Sequence, residues 1–410
     1  MARRDLKRKI LGLFLLQEVL SSEEEDWLIM QLIQSDAEED VELLFHLLLG
    51  SSAVPRPIHR MIGFVERIVP TLAGSQFKYY FKMSKEAFEA LVMMVLSTGE
   101  LKVKRPRVGG KPPIYPMKQV LVALWMLGSL ETYYAIGDRF DISVSTAVRC
   151  VRRVCRGLVA LRGKMITWPS VQKQAETMEE FQKLSGIPGI IGVIDCCLIR
   201  IRTPRRYKSS YKDSSGNTSM SLLATCDHQC RFIDTLAGYP GSIHKSNVLE
   251  NSPLFTRATQ GEVFTEGTHI VGDAGFPSME WLLVPYKEED TELKLGEIRF
   301  NQGLKTAREV IQTAFSLLKG RWCRLQFVGM DTIQEMPYLI TAACVLHNYC
   351  LMTENEEDIC DYLGPSCTGD VEDSPSVIEV DPPQVNKRSR LSEYLASLPQ
   401  EMFIDEMIES

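Results

Sequence analysis

Between Met83 and Leu161 apolar residues recur at helical spacing in several segments. They are interrupted at Lys102–Pro116, a stretch rich in Lys, Arg, Gly and Pro that reads as a loop. From Gly186 the pattern changes. Ile190–Ile201, Met220–Asp227, Arg231–Leu236 and His269–Gly272 are short apolar or alternating runs bounded by turns, which predicts strands. Helical segments near Asn247–Gln260, Asn301–Lys319 and Gln334–Met352 interleave with and follow them. The expected fold class is therefore α/β, with an all-helical domain in front of it. Met1–Gly50 reads as helical, with acidic runs at Glu23–Asp26 and Asp36–Asp40, and a break follows at Ser51–Pro57. After Thr353 there is little sustained periodicity. Acids, Ser374-Pro375 and Pro382-Pro383 predict a mostly disordered tail with a short helix near Glu393–Leu398. The organisation read from the pattern is a helical acidic region over 1–55, a helical domain over 77–165, an α/β domain over 186–353 and an acidic tail over 354–410.

Composition supports a folded chain: 45% of the 410 residues are hydrophobic and 24% charged, which argues against disorder or coiled coil for most of it. The longest apolar stretch, near Gln119–Leu130, falls short of the roughly 18 residues a membrane span needs, so no membrane partner is expected. The basic start followed by the apolar run Ile10–Leu16 reads as an amphipathic helix rather than a secretory signal. The 11 cysteines are odd in number and scattered, which suits reduced thiols in cytosol or nucleus. The net charge of −7 conceals a division, because Glu100–Ser170 holds 13 Lys and Arg against 4 Asp and Glu, and Glu354–Ser410 holds 3 against 15. An acidic tail hides a basic domain.

Two constellations carry chemistry. Glu131–Phe140, a break at Asp141–Ser143 and Val144–Leu158 have the rhythm of a helix-turn-helix. On the second helix Arg149, Arg152, Arg153 and Arg156 stand at i, i+3, i+4 and i+7, a basic stripe beside an apolar one. Four like charges on one face repel, and a polyanion such as DNA relieves that repulsion. A solvated amphipathic face is the alternative. The second constellation is three carboxylates. Asp195 ends the apolar run Ile190–Ile194, Asp273 follows a strand in Gly272-Asp273-Ala274-Gly275, and Glu309 lies on the polar face of an amphipathic helix. Carboxylates converging at strand ends bind Mg²⁺ or Mn²⁺, and two such ions about 4 Å apart activate an attacking oxygen and stabilise a leaving one in phosphodiester cleavage.

Five ordered blocks resemble those of PIF/Harbinger transposases, most of all the domesticated Harbinger transposase-derived nucleases of animals. They are Ile191-Gly-Val-Ile-Asp195-Cys, Ala237-Gly-Tyr-Pro-Gly-Ser-Ile-His244, Val271-Gly-Asp273-Ala-Gly-Phe-Pro277, Ala307-Arg-Glu309 through Trp322, and Val345-Leu-His347-Asn348. The resemblance spans roughly Met83–Met352. It implies an RNase H-like fold with Asp195, Asp273 and Glu309 as a DDE triad that holds divalent metal. It also implies a metal-dependent DNA endonuclease, present in nucleus and cytoplasm, that relies on a separate Myb/SANT-like protein. Self-association is compatible with this reading. Two blocks depart from the family. His244-Lys245-Ser246 stands where His-Asp-Ser is common, so a cation replaces an accessory carboxylate. Asp213-Ser214-Ser215-Gly216 stands where Asn-Arg-Lys-Gly is common. The loop just before Asp213 still carries Arg202, Arg205, Arg206, Lys208 and Lys212 with Tyr207 and Tyr211, a basic, aromatic-bearing loop suited to nucleic acid or to plain solvent exposure. A different class remains open beside the enzyme: a domesticated DNA-binding or scaffold protein that keeps the fold without turnover. Lys387-Arg388-Ser389-Arg390 is a weak nuclear-import candidate, and the helical ends outside the shared core, Met1–Gly50 above all, are the expected docking surface for the partner.

Overall fold

The computed structural model describes residues 60–101, 113–204, 207–287, 293–330, 332–355, 359, 361–364 and 385–399, all within one compact unit, Arg60–Ser410. The expectations for Met1–Gly50, for the basic run at 102–112 and for Arg205 and Arg206 lie outside the described residues.

The helical half opens with α1 (Gly74–Phe81) and α2 (Lys85–Ser97), the latter started by the Ser84 hydroxyl, which accepts from the Ala87 N–H at 3.1 Å. The apolar α3 (Pro116–Gly128) is buried over Lys118–Leu127. Next come α4 (Tyr133–Arg139), α5 (Val144–Ala160) and α6 (Val171–Ser185), which Gly186 ends with φ 72°. The α4–α5 corner is tight. Ile142 N–H donates to Gly137 O at 2.9 Å, and a Cβ at Gly137 would lie 2.9 Å from Ile142 O, so only glycine fits. Ser143 then caps α5 by accepting from Thr146 N–H.

The other half is a five-stranded sheet in the order β3-β2-β1-β4-β5, from β1 (Ile190–Arg200), β2 (Ser219–Cys226), β3 (Phe232–Pro240), β4 (His269–Val271) and β5 (Leu282–Leu283). β1 pairs antiparallel with β2 and parallel with β4, which makes it the central strand, and Ile190–Ile194 are all buried. Its side chains feed both faces: Ile190 and Val193 join the main core, while Ile191 and Ile194 join a second cluster with Val248, Leu254 and Phe276. Each such aliphatic side chain contributes about 1.5–3 kcal/mol by leaving water. Short helices α7 (Lys245–Glu250) and α8 (Pro253–Thr259) cover the second cluster. Sequence periodicity merges these two helices; Ser252 and Pro253 divide them, since proline favours the first turn of a new helix. On the main face lie α9 (Leu295–Arg321), a 27-residue helix, and α10 (Met336–Thr353). The main core runs without a break from Phe64 to Cys350, so the helical half and the sheet share it.

The helix expected near Glu393–Leu398 is present and starts eight residues earlier than expected, at Val385. α11 (Val385–Ser397) docks on α9 through Leu391, Leu395 and Leu398, with Leu395 fully buried. Buried Arg299 of α9 donates to the carbonyls of Leu395 and Leu398 at 2.7 and 2.8 Å, where the negative end of the α11 dipole welcomes a cation. Lys387 donates to Thr268 O at 2.8 Å, and Arg388 donates to Val284 O and stacks 4.1 Å from the Tyr286 ring. Burial pulls the Lys387 amine down to about 8. The import candidate Lys387–Arg390 is thus half engaged with the fold. Among the described residues no helix is long and apolar enough to cross a membrane.

Candidate functional site

Strand register explains why two of the acids meet. In the parallel β1–β4 pair Val193 faces Val271, and Asp195 and Asp273 each stand two residues further on. Neighbouring strands lie about 4.8 Å apart, so the register carries both carboxylates to the same level. Asp195 Oδ1 accepts from Cys196 N–H at 2.7 Å, and Asp273 Oδ1 accepts from Gly275 N–H at 3.2 Å in the sharp post-strand turn. The Cys196 thiol beside them is pushed up to about 12 by burial, and the Asp195 charge adds to the effect, so it stays neutral.

The remaining neighbours are cations. Arg308 of α9 reaches between the two acids, with Nη2 at 3.7 Å from Asp195 Oδ2 and 3.6 Å from Asp273 Oδ2. Lys245, the first residue of α7, places its ammonium on Asp273 Oδ2, and both side chains are buried. Glu309, the residue after Arg308, is exposed. The reason is the helical step of about 100° per residue. Ala307, Ile311, Ala314, Phe315 and Leu318 pack inward, Arg308 flanks that seam and faces the acids, and the next residue has rotated out to the solvent face with Lys305 and Thr313. Gln312, half-buried, stands one turn beyond Arg308 on the same helix. Among the described residues no group of three or more His, Cys, Asp or Glu side chains is arranged to hold a metal ion.

The arginine stripe is divided. Arg149, Arg153 and Arg156 are all exposed along α5, and Arg149 bonds within its own helix, to Ser145 O and Thr146 Oγ1. Arg152 Nη2 donates to Thr332 Oγ1 at 2.9 Å, and Arg156 Nη2 meets Glu335 Oε1 at 2.7 Å, both across the shared core boundary. Lys208 lies exposed on a short 3-10 turn, Lys208–Tyr211, beside exposed Tyr207. Asp213, in the departing block, closes a turn by accepting from Asn217 N–H at 2.8 Å and from the Ser219 hydroxyl at 2.7 Å. His347 and Asn348 are structural. His347 Nε2 donates to Cys230 O at 2.9 Å, and burial pulls its imidazole down to about 4. Asn348 accepts from Phe232 N–H and donates to Phe232 O and Met165 O, pinning the start of β3.

A profile for a family described as DDE superfamily endonuclease matches residues 194–348, the interval holding this site. Over 309 residues the chain is 32% identical to "Protein ALP1-like" of Arabidopsis thaliana, covering 72% of this chain and 75% of that one. The chain belongs to the Harbinger-derived DDE endonucleases. It is also 31% identical over 273 residues to "Putative nuclease HARBI1" of Bos taurus, covering 64% of this chain and 73% of that one. The human protein of that name is 31% identical over 245 residues, covering 58% and 68% of the two chains. No solved structure matches. DDE endonucleases generally use divalent metal, and two-ion chemistry needs a carboxylate-rich, net negative pocket. This DDE domain presents two carboxylates against two side-chain cations, with Arg308 the α9 residue that reaches both acids. That donor set does not fit a two-ion centre. Lys245 was flagged by the sequence as a departure from the family block, whereas nothing in the sequence singled out Arg308.

Proposed function

We propose that this Harbinger-derived chain is a DNA-binding protein that keeps an RNase H-like nuclease fold without cleaving DNA. The observation that carries the reading is the charge balance of the acidic centre: Asp195 and Asp273 are met by Lys245 and Arg308, while Glu309 faces solvent. DNA contact falls to the helix-turn-helix over α4 and α5, where exposed Arg149 and Arg153 offer phosphate partners, and to the loop around Lys208, next to Arg205 and Arg206. One helix-turn-helix gives modest specificity, which supports reliance on a Myb/SANT-like partner for DNA targeting and nuclear entry.

A second reading has its own observation. Asp195 and Asp273 remain level on adjacent strands, as metal-dependent cleavage by a DDE endonuclease requires, and relatives carry the name "Putative nuclease HARBI1". Purified protein and supercoiled plasmid, with and without Mn²⁺ or Mg²⁺, separate the two. The expected outcome is salt-sensitive binding with no nicking above a protein-free control. Metal-dependent nicking that Asp195→Asn abolishes would overturn the first reading and establish the second.

A further inference from the structure

The acidic centre is shaped around a cation, and the chain itself provides one. The His244 ring starts α7 by accepting from Ser246 N–H, which fixes Lys245 as the first residue of that helix and aims it inward. Its side chain crosses Gly275, where any Cβ would collide with Lys245 Cε, so the glycine is the slot through which the lysine stem passes. The ammonium then lies on Asp273 Oδ2 and 5.6 Å from the centre of the Phe276 ring. A carboxylate and an aromatic face are the two groups that favour a desolvated cation. Arg308 closes the open side and reaches Asp195 as well.

We propose that Lys245 is a resident cation that closes the acidic centre against divalent metal, with Arg308 completing the neutralisation, and that the centre is a latent metal site which removing these two side chains reopens. The proposal rests on the non-cleaving reading and adds its cause. A divalent ion approaching Asp195 and Asp273 meets two positive charges already in place. To bind, it must expel a buried ammonium from the carboxylate on which it rests. Without the two cations, a pair of carboxylates on adjacent strands, one of them buried, is left with uncompensated charge that a hard cation relieves.

The test is Mn²⁺ binding by the full-length protein, read by calorimetry and by the melting temperature with and without the ion, neither of which depends on catalysis. The wild-type protein is expected to show no saturable Mn²⁺ binding at millimolar concentration and no shift in melting temperature. Lys245→Met with Arg308→Gln keeps most of the packing volume, and this double variant is expected to bind Mn²⁺ at least tenfold more tightly and to melt higher when the ion is present. Adding Asp273→Asn should remove the gain. Stoichiometric Mn²⁺ binding by the wild-type protein would overturn the proposal with no variant needed. So would a double variant that folds by circular dichroism yet gains no affinity, because the centre would then lack ligands rather than be closed. Wild-type nicking of plasmid, in contrast, would bring down the non-cleaving reading itself.

Discussion

The acidic centre and the α5 arginine stripe are both clusters of like charge, and the fold treats them differently. At the centre, two acids on neighbouring strands receive cations from α7 and α9, and the charge is closed within the chain. Along α5 the closure is half done: Arg152 and Arg156 are tied to the segment before and at the start of α10, while Arg149 and Arg153 stand in solvent. A charge cluster seen in sequence is therefore an offer of binding whose acceptance depends on what a distant element brings to it. The depth of the site then sets the energy. Buried pairs lose several kcal/mol when one partner goes, while exposed pairs lose about 1 or less.

The largest expected effect lies inside the centre. Asp273→Asn removes the buried carboxylate on which the Lys245 ammonium rests, and the expected loss is about 3–5 kcal/mol of unfolding free energy. Asp195→Asn should cost about 1 kcal/mol, since that carboxylate is partly solvated and its cation is 3.7 Å away. Urea unfolding of both variants measures the contrast. Equal losses would mean that the two acids share their cations evenly, against the geometry.

How far the sequence revealed this contrast can be argued residue by residue. The meeting of Asp195 and Asp273 was legible, because an apolar run ending in Asp and a strand ending in Gly-Asp-Ala-Gly both announce carboxylates at strand ends. The hairpin of β2 and β3 was legible for the same reason, alternation broken by a polar turn at Asp227–Arg231. Glu309 was placed on a polar helix face correctly, but a polar face does not say which of its edges looks to solvent. Periodicity cannot fix the rotation of a helix to within one residue, and one residue is about 100°. The first turns of α11 and its docking escaped because its seam is three leucines, and much of its docking comes from cations meeting backbone carbonyls, a pattern that hydropathy does not register. The split of the arginine stripe depended on Thr332 and Glu335, about 180 residues away.

That split supplies the next test. Arg152→Gln with Arg156→Gln should lower stability by about 1 kcal/mol while leaving the salt dependence of DNA binding unchanged, because those guanidinium groups are engaged within the chain. Arg149→Gln with Arg153→Gln should do the reverse. Stability should hold within about 0.5 kcal/mol, and the slope of log K against log salt should flatten by about 2, near 0.9 for each phosphate that is no longer neutralised. Fluorescence anisotropy on a short duplex across a salt series, beside thermal melts, reads both. If Arg152 and Arg156 flattened the slope as much as Arg149 and Arg153, the bonds to Thr332 and Glu335 would have to open on DNA, and the division of the stripe would fail as an account of binding.

The smallest effect is the most telling for the centre. Glu309→Gln removes a carboxylate from the exposed face of α9, where Lys305 and Thr313 are its surface neighbours. Its expected consequence is a change in stability within about 0.5 kcal/mol and no change in DNA binding or in Mn²⁺ response, since a solvated side chain one helical step away from Arg308 shares neither ion pair nor core packing with Asp195 and Asp273. The same substitution would be severe if α9 turned by one residue in the DNA-bound protein, because that rotation would withdraw Arg308 and bring Glu309 to the acids. Measuring the melting temperature of wild-type and Glu309→Gln protein with duplex DNA and Mn²⁺ together distinguishes these cases. A stabilisation by Mn²⁺ that appears only with DNA, and only when Glu309 is present, would show that the solvent-facing position belongs to the resting chain alone. Identical curves would leave the acidic centre as a closed set of two acids and two cations.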